Sequence, residues 1–134
     1  MLFPTTLVGS YPQPEWLLDL QKLLKQYPPR VRARELWRIP EPYLAEAQDD
    51  ATVVAIRAQE EAGLDIVTDG EQTRRHFVTT FLESLDGVDF EHRKTVRIRN
   101  RYDADVPVVV GPVARPRPVF EDAARFLRGA TDRK

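Results

Sequence analysis

The apolar positions change period several times along the chain, and each change marks an expected element. Thr5-Thr6-Leu7-Val8-Gly9-Ser10 is a short β-prone run that stops at Gly9-Ser10 and a proline-rich turn, predicting a first strand. Pro14 and Glu15 suit the first turn of a helix, proline by its fixed φ and glutamate by its charge at the positive end of the dipole. Trp16, Leu17, Leu20, Leu23 and Leu24 then recur at helical spacing to about Gln26, where Tyr27-Pro28-Pro29 ends the run. Over Arg30 to Gln48 a short helix is predicted around Arg34–Arg38, followed by a Pro40-Glu41-Pro42 break and another helical start. Asp49 or Asp50 suits the cap of a further helix, with Val53, Val54, Ile56, Ala58 and Ala62 as its buried stripe and Gly63 as its C′ residue. Leu64-Asp65-Ile66-Val67-Thr68 follows as a buried strand, ending in the acidic tip Asp69-Gly70-Glu71.

Beyond the tip, a helix is predicted from about Thr73 to Leu85, carrying Phe77, Phe81, Leu82 and Leu85 and closed by Gly87. Thr95 to Arg101 alternates, with Val96 and Ile98 on one face and arginines on the other, as in a half-exposed strand. Tyr102-Asp103-Ala104-Asp105 would turn it into Val106–Val113, making an antiparallel hairpin over about residues 90–113 with Pro107 toward an edge. The last helix is expected over about Val119–Arg128, ending at Gly129 before a loop toward a next strand. Strand, helices, strand in the first seventy residues is a βαβ-like unit, whose handedness rule makes the two strands parallel neighbours. The fold class is α/β, and the pattern reads as a βα series that has been interrupted.

Composition narrows the functional classes. The 134 residues fit one domain, and 42% hydrophobic with 31% charged residues suits a globular protein. A formal net charge of −1 gives no global drive toward nucleic acid or an anionic membrane. The chain has no cysteine, which excludes disulfides, thiolate nucleophiles and cysteine-ligated metal. His76 and His92 lack helical ligand spacing, so a zinc site within the chain would need carboxylates to complete it. The N-terminus has no basic region followed by an apolar run, and no stretch of 18 apolar residues occurs; a cytoplasmic protein is the expectation.

Open α/β sheets and barrels bind ligands at the carboxyl ends of their strands. Two such ends carry suitable chemistry. Gly9-Ser10 can present backbone N–H groups and a hydroxyl to an anionic oxygen, because glycine permits close approach. Glu71 offers a carboxylate. Read singly, each is also an ordinary turn. Together on adjacent strand ends they match a zwitterionic amino acid, which needs donors for its carboxylate and an anion for its ammonium. Arg97, Arg99 and Arg101, with Arg93 and Lys94, could contact phosphate or a polyanionic tail, or form the solvated side of a strand. His76 could serve as a general acid or base, or be a surface helix residue. His92 receives no role, and Trp16, Trp37 and the phenylalanines read as core.

The segments Thr5-Thr6-Leu7-Val8-Gly9-Ser10-Tyr11-Pro12-Gln13-Pro14 and Gln59-Glu60-Glu61-Ala62-Gly63-Leu64-Asp65-Ile66-Val67-Thr68-Asp69-Gly70-Glu71 resemble the cobalamin-independent methionine synthase family. The likeness is to its catalytic, C-terminal-type barrel in the short single-barrel form. It implies a (β/α)8 barrel in which zinc activates a thiol, usually homocysteine, to accept a methyl group from a methyl-folate or methyl-corrinoid donor. The family's Ile-Gly-Ser matches Val8-Gly9-Ser10 and its Gly-Glu matches Gly70-Glu71, so the resemblance assigns Val8, Gly9, Ser10 and Glu71 to the amino-acid substrate. Asp69 stands where many members have histidine.

The family's zinc ligands, a histidine, two cysteines and a glutamate on later strands, have no counterpart here. A full barrel needs roughly 250 residues. The expectation is therefore the N-terminal portion of a (β/α)8 TIM-type barrel, residues 1–134 forming a single partial domain with an inserted β-hairpin. Such a portion would be a truncated product, a fragment or one half of a split enzyme. No catalytic residue and no metal ligand is assigned to it, and no cofactor would bind this chain alone. Its partners would be homocysteine or a similar thiol amino acid, and a complementary C-terminal barrel half or a second copy covering open strand edges. The competing readings are a related zinc-dependent alkyltransferase acting on another thiol, a decarboxylase on a similar barrel, and a non-catalytic partner-binding remnant.

Overall fold

The computed structural model of the protein describes residues 2–25, 36–76 and 78–134. Its elements are α1 (Leu20–Lys25), α2 (Leu44–Glu61), α3 (Thr79–Leu82), β1 (Asp86–Ile98), β2 (Tyr102–Ala114) and α4 (Glu121–Ala130). They fall into two compact units, one made of Met1–Asp19, Trp37–Arg74 and Phe120–Lys134, the other of Leu20–Leu36 and Arg75–Val119.

In the first unit, the two expected strands meet as a parallel bridge between Thr6 and Ile66. The Asp65 and Ile66 N–H groups donate to the Thr5 carbonyl at 3.2 and 3.0 Å, and the Val67 N–H donates to Lys134 O at 2.9 Å. The Ile66 and Val67 N–H groups thus point to opposite sides, as successive residues of an extended segment do. Residues 64–67 therefore run between Thr5 on one side and Lys134 on the other. The pairing stays short for a local reason. The Asp65 carboxylate takes the Thr5 N–H at 2.8 Å and its hydroxyl at 2.9 Å, and Gly9, with φ of +81°, turns the chain away soon after.

Helix α2 is 18 residues long and starts at Leu44, so Asp49 and Asp50 lie inside it rather than at its cap. The turn at Pro40, whose carbonyl accepts the Tyr43 N–H at 3.0 Å, leads straight into the helix. Its buried face is Ala51, Thr52, Ala55, Ile56 and Gln59, and Val54 is 59% exposed. The expected stripe of larger residues is rotated because small side chains permit a closer approach. A Cβ built on Gly70 would stand only 3.3 Å from that of Ala55. The helix ends as expected: Gly63 has φ of +76°, its N–H bonds to Glu60 O at 2.9 Å, and the Leu64 N–H bonds to Gln59 O at 3.1 Å. These two bonds are the Schellman pattern.

Gln59, 2% exposed, ties this helix to the strand after it. Its amide donates to Ala55 O and Thr68 O and accepts the Thr68 N–H, each at 2.9 Å. Helix α4 packs against α2 and passes through Gly129 to Ala130, so Gly129 does not end it.

The helix expected from Pro14 opens as a turn, with Leu17 and Leu18 N–H groups both on Pro14 O at 3.0 Å. Leu17 and Leu18 are buried, and Leu18 forms an antiparallel bridge with Trp37. That bridge draws the chain out of helix until α1 begins at Leu20. The expected stop at Tyr27-Pro28-Pro29, the first two residues of the expected Arg34–Arg38 helix and Phe77 lie outside the described residues; the rest of that helix gives way to the bridge at Trp37.

In the second unit, the helix expected over Thr73–Leu85 is reduced to the four residues of α3. Strands β1 and β2, 13 residues each, form a two-stranded antiparallel sheet. Register pairs include Thr95 with Asp105, Arg97 with Asp103 and Ile98 with Tyr102. The turn is at Arg99-Asn100, not at residues 102–105. Both have positive φ, 46° and 58°, and the Arg101 N–H closes on Ile98 O at 2.9 Å, which is the primed turn that suits strand twist. The register slips between Asp89 and Lys94. There Asp89 Oδ1 accepts the N–H groups of Glu91 and His92 at 2.8 and 3.0 Å, diverting donors from the ladder. Residues 91–97 are all exposed, so the Val96–Ile98 face is not a buried one along that stretch. No helix among the described residues is long and apolar enough to cross a membrane.

Candidate functional site

The strongest convergence of polar groups lies in the first unit, where the Asp69-Gly70-Glu71 tip follows the Val67-Thr68 strand end. The tip is a chain of local bonds. The Thr68 hydroxyl accepts the Gly70 N–H at 3.1 Å, and Asp69 Oδ1 accepts the Glu71 N–H at 3.0 Å. Those bonds hold Glu71 at φ of +58°, a left-handed conformation that costs a side-chain-bearing residue roughly 1–2 kcal/mol. Such strain persists where surrounding contacts over-determine it, and it clusters at working sites.

Arg74 lies at the centre. Its Nη2 is 2.7 Å from Asp69 Oδ2 and its Nη1 is 3.4 Å from Glu71 Oε1. Its guanidinium carbon stands 4.4 Å from the ring centroid of Phe120. Asp69 is the tighter partner, which leaves most of the Glu71 carboxylate's acceptor capacity open. A cleft of about 400 Å³ is lined by Gly9, Asp69, Glu71, Arg74 and Phe120, with Leu127 of α4 among its apolar residues.

Of the residues singled out from sequence, Gly9 and Glu71 therefore share one cleft. Val8 has its side chain turned to solvent, 92% exposed, and Ser10 is also exposed; neither lines the cleft. His76 works locally: its Nδ1 accepts the N–H groups of Val78 and Thr79 at 3.2 Å at the start of α3. Arg97 pairs with Asp103 at 3.3 Å across the sheet, both more than half exposed. His92 sits 2.9 Å from Asp89, whose carboxylate holds the imidazole pKa above its ordinary value. The backbone N–H of His92, together with its side chain, in turn holds Asp89 below the usual carboxylate range.

Sequence reading assigned no role to Asp69, Arg74, Phe120 or the two glutamines Gln13 and Gln72. A signal existed for Arg74, three residues after Glu71 and able to reach back to it. None existed for Phe120, which tertiary packing alone brings to the guanidinium. Among the described residues no group of three His, Asp or Glu side chains could hold a metal ion, and the chain has no cysteine.

Comparison with known proteins bears on the same segments. The family described as cobalamin-independent synthase, catalytic domain, matches residues 3–134. A methionine synthase of Sulfolobus acidocaldarius is 32% identical over 130 residues, covering 97% of this chain and 35% of that protein. One from Thermococcus kodakarensis is 32% identical over 133 residues, covering 99% of this chain and 36% of its own. Among solved structures, a B12-independent methionine synthase from Shewanella sp. W3-18-1 in complex with selenomethionine superimposes with a TM-score of 0.78 at 47% identity, over 99% of this chain and 36% of that one. The chain thus spans little more than a third of the relatives it matches, and over that span it belongs to the cobalamin-independent methionine synthase family, within the catalytic domain.

Proposed function

We propose that this chain provides the amino-acid-binding part of a methyltransferase that moves a methyl group to a thiol such as homocysteine. In this reading residues 1–134 are the N-terminal part of a (β/α)8 barrel, with the two-stranded sheet of β1 and β2 as an insertion. The backbone N–H groups of Val8-Gly9-Ser10 and the Ser10 hydroxyl take the substrate carboxylate, and Glu71 takes its ammonium. The observation that carries this is the shared cleft: Gly9 and Glu71, 62 positions apart in sequence, line one cavity, both on left-handed backbone. The Shewanella relative supports it, since its bound selenomethionine is itself an amino acid.

Thiol activation falls to other residues. Zinc and a methyl-folate or methyl-corrinoid donor belong to the complete cytoplasmic enzyme, assembled with a complementary barrel portion or a second copy; no step of that chemistry is assigned to this chain. The test is calorimetric titration of the 134-residue protein with L-homocysteine and L-methionine, alongside Glu71→Gln. The variant should bind at least about tenfold more weakly, a change of about 1.4 kcal/mol, with an unchanged melting midpoint. Parallel loss of binding and stability would make Glu71 a folding residue instead.

A further inference from the structure

The two halves of the proposed clamp stand on separate loops, and those loops are tied together by two side-chain amides. The Tyr11 N–H donates to Gly70 O at 3.0 Å. Gln72 Nε2 donates back to Tyr11 O at 3.0 Å and to Gly70 O at 3.1 Å. Gln13 Nε2 donates to Gln72 O at 2.9 Å and to Arg74 O at 3.1 Å. Each amide nitrogen thus spends both of its protons on backbone carbonyls, which also fixes which end of each amide is the nitrogen. Gln72 is fully buried, and Gly70 approaches so closely that a Cβ there would stand 2.9 Å from the Tyr11 Cβ. Tyr11 follows Gly9-Ser10 directly, and Gly70 and Gln72 flank Glu71, so no flexible spacer separates the ties from the residues they would hold.

We infer that Gln13 and Gln72 are positioning residues that fix the separation between Gly9-Ser10 and Glu71 and thereby select α-amino acids over ligands whose carboxylate and ammonium lie farther apart. The inference rests on the amino-acid clamp proposed above. Neither glutamine lines the cleft, so neither need touch the ligand. Their effect is on distance: a staple between loops makes the clamp rigid, and a rigid clamp rejects an extra methylene that a loose one accepts. An ordinary structural glutamine would lower stability without changing which ligand is preferred.

The test compares L-methionine with L-β-homomethionine, which carries the same groups with one more methylene between carboxylate and ammonium. Affinities are measured on the full chain, on Gln13→Met and on Gln72→Met, with hydrogen exchange at the Tyr11 amide followed in each. The unaltered protein should prefer L-methionine by about tenfold or more, and Gln13→Met should shrink that preference to about threefold or less. Exchange at Tyr11 should quicken in the variant. An unchanged preference together with a still-protected Tyr11 amide would overturn the positioning role while leaving the clamp intact. Failure of the unaltered chain to bind either ligand would instead overturn the clamp, and the inference with it. Should Gln72→Met not fold, the half-exposed Gln13 decides the question alone.

Discussion

The guanidinium of Arg74 stacks 4.4 Å from the Phe120 ring centroid while its two terminal nitrogens reach different carboxylates, Asp69 at 2.7 Å and Glu71 at 3.4 Å. A planar, delocalised cation can do both at once; a lysine ammonium cannot. The aromatic face covers one side of the cation, and the three charged side chains are only 11–24% exposed. Replacing Arg74 by Met would leave two carboxylates beside each other without their cation. The expected loss is roughly 2–4 kcal/mol in urea-unfolding free energy, with Arg74→Lys intermediate because it keeps charge and loses the fork. Equal stability of the Lys variant and the parent would show that geometry contributes nothing beyond charge.

Two glycines with similar backbone angles should respond differently to alanine. Gly63, at φ +76°, has no atom within 4 Å of a built Cβ, so Gly63→Ala meets only the left-handed penalty of about 1 kcal/mol. Gly70, at φ +61°, meets Tyr11 Cβ at 2.9 Å and Ala55 Cβ at 3.3 Å as well. Gly70→Ala should cost about 1–3 kcal/mol more, the range of overpacking. Paired thermal melts of the two variants give the difference directly, and matching midpoints would contradict the close contact.

Acid should loosen the junction between the first extended segment and the second. The Thr5 N–H and then its hydroxyl hold the Asp65 carboxyl below its ordinary value of 3.8, with Arg133 adding a smaller favourable field. Because the folded value is the lower one, this contribution is complete above the unfolded pKa, and it is lost as pH falls through the folded pKa. Urea midpoints measured from pH 6 downward should therefore fall more steeply below about pH 4 for the parent than for Asp65→Asn. Superimposable pH profiles would remove Asp65 from the account.

Gln59 invites a sharper mutation. Its buried amide satisfies both the N–H and the carbonyl of Thr68. Gln59→Leu keeps approximate volume but strands both groups, at roughly 1–3 kcal/mol each. A loss of about 2–5 kcal/mol in denaturant unfolding is expected, and a neutral substitution would mean that water reaches Thr68.

Local chemistry was legible wherever a residue acts on its own neighbourhood. Gly63 was readable as the C′ residue of α2 because a left-handed stop after a helix depends on the few residues around it. The parallel approach of the Thr6 and Ile66 segments followed from strand, helix and strand in order. Glu71 and Gly9-Ser10 were readable as candidates because strand-end position and residue chemistry are both sequence properties.

Boundaries and faces were decided elsewhere. Helix α2 buried alanines rather than valines, since contact with Gly70 rewards a small residue and no periodicity records what lies opposite. The turn between β1 and β2 fell at Arg99-Asn100, where asparagine tolerates positive φ, although Tyr102–Asp105 carries more turn-forming residues. The helical spacing of Trp16, Leu17 and Leu20 lost to a bridge between Leu18 and Trp37, a partner nineteen positions away.

The sequence by itself determined the α/β class, the two strand-end motifs and their family likeness, because these are properties of residues near one another along the chain. Only the tertiary structure decided that Gly9 and Glu71 face one cleft, that Arg74 and Phe120 complete it, and that Gln13 and Gln72 hold its two loops together. Each of those depends on atoms brought within about 3–4.5 Å by the packing of distant segments, and that separation is not encoded in spacing along the chain.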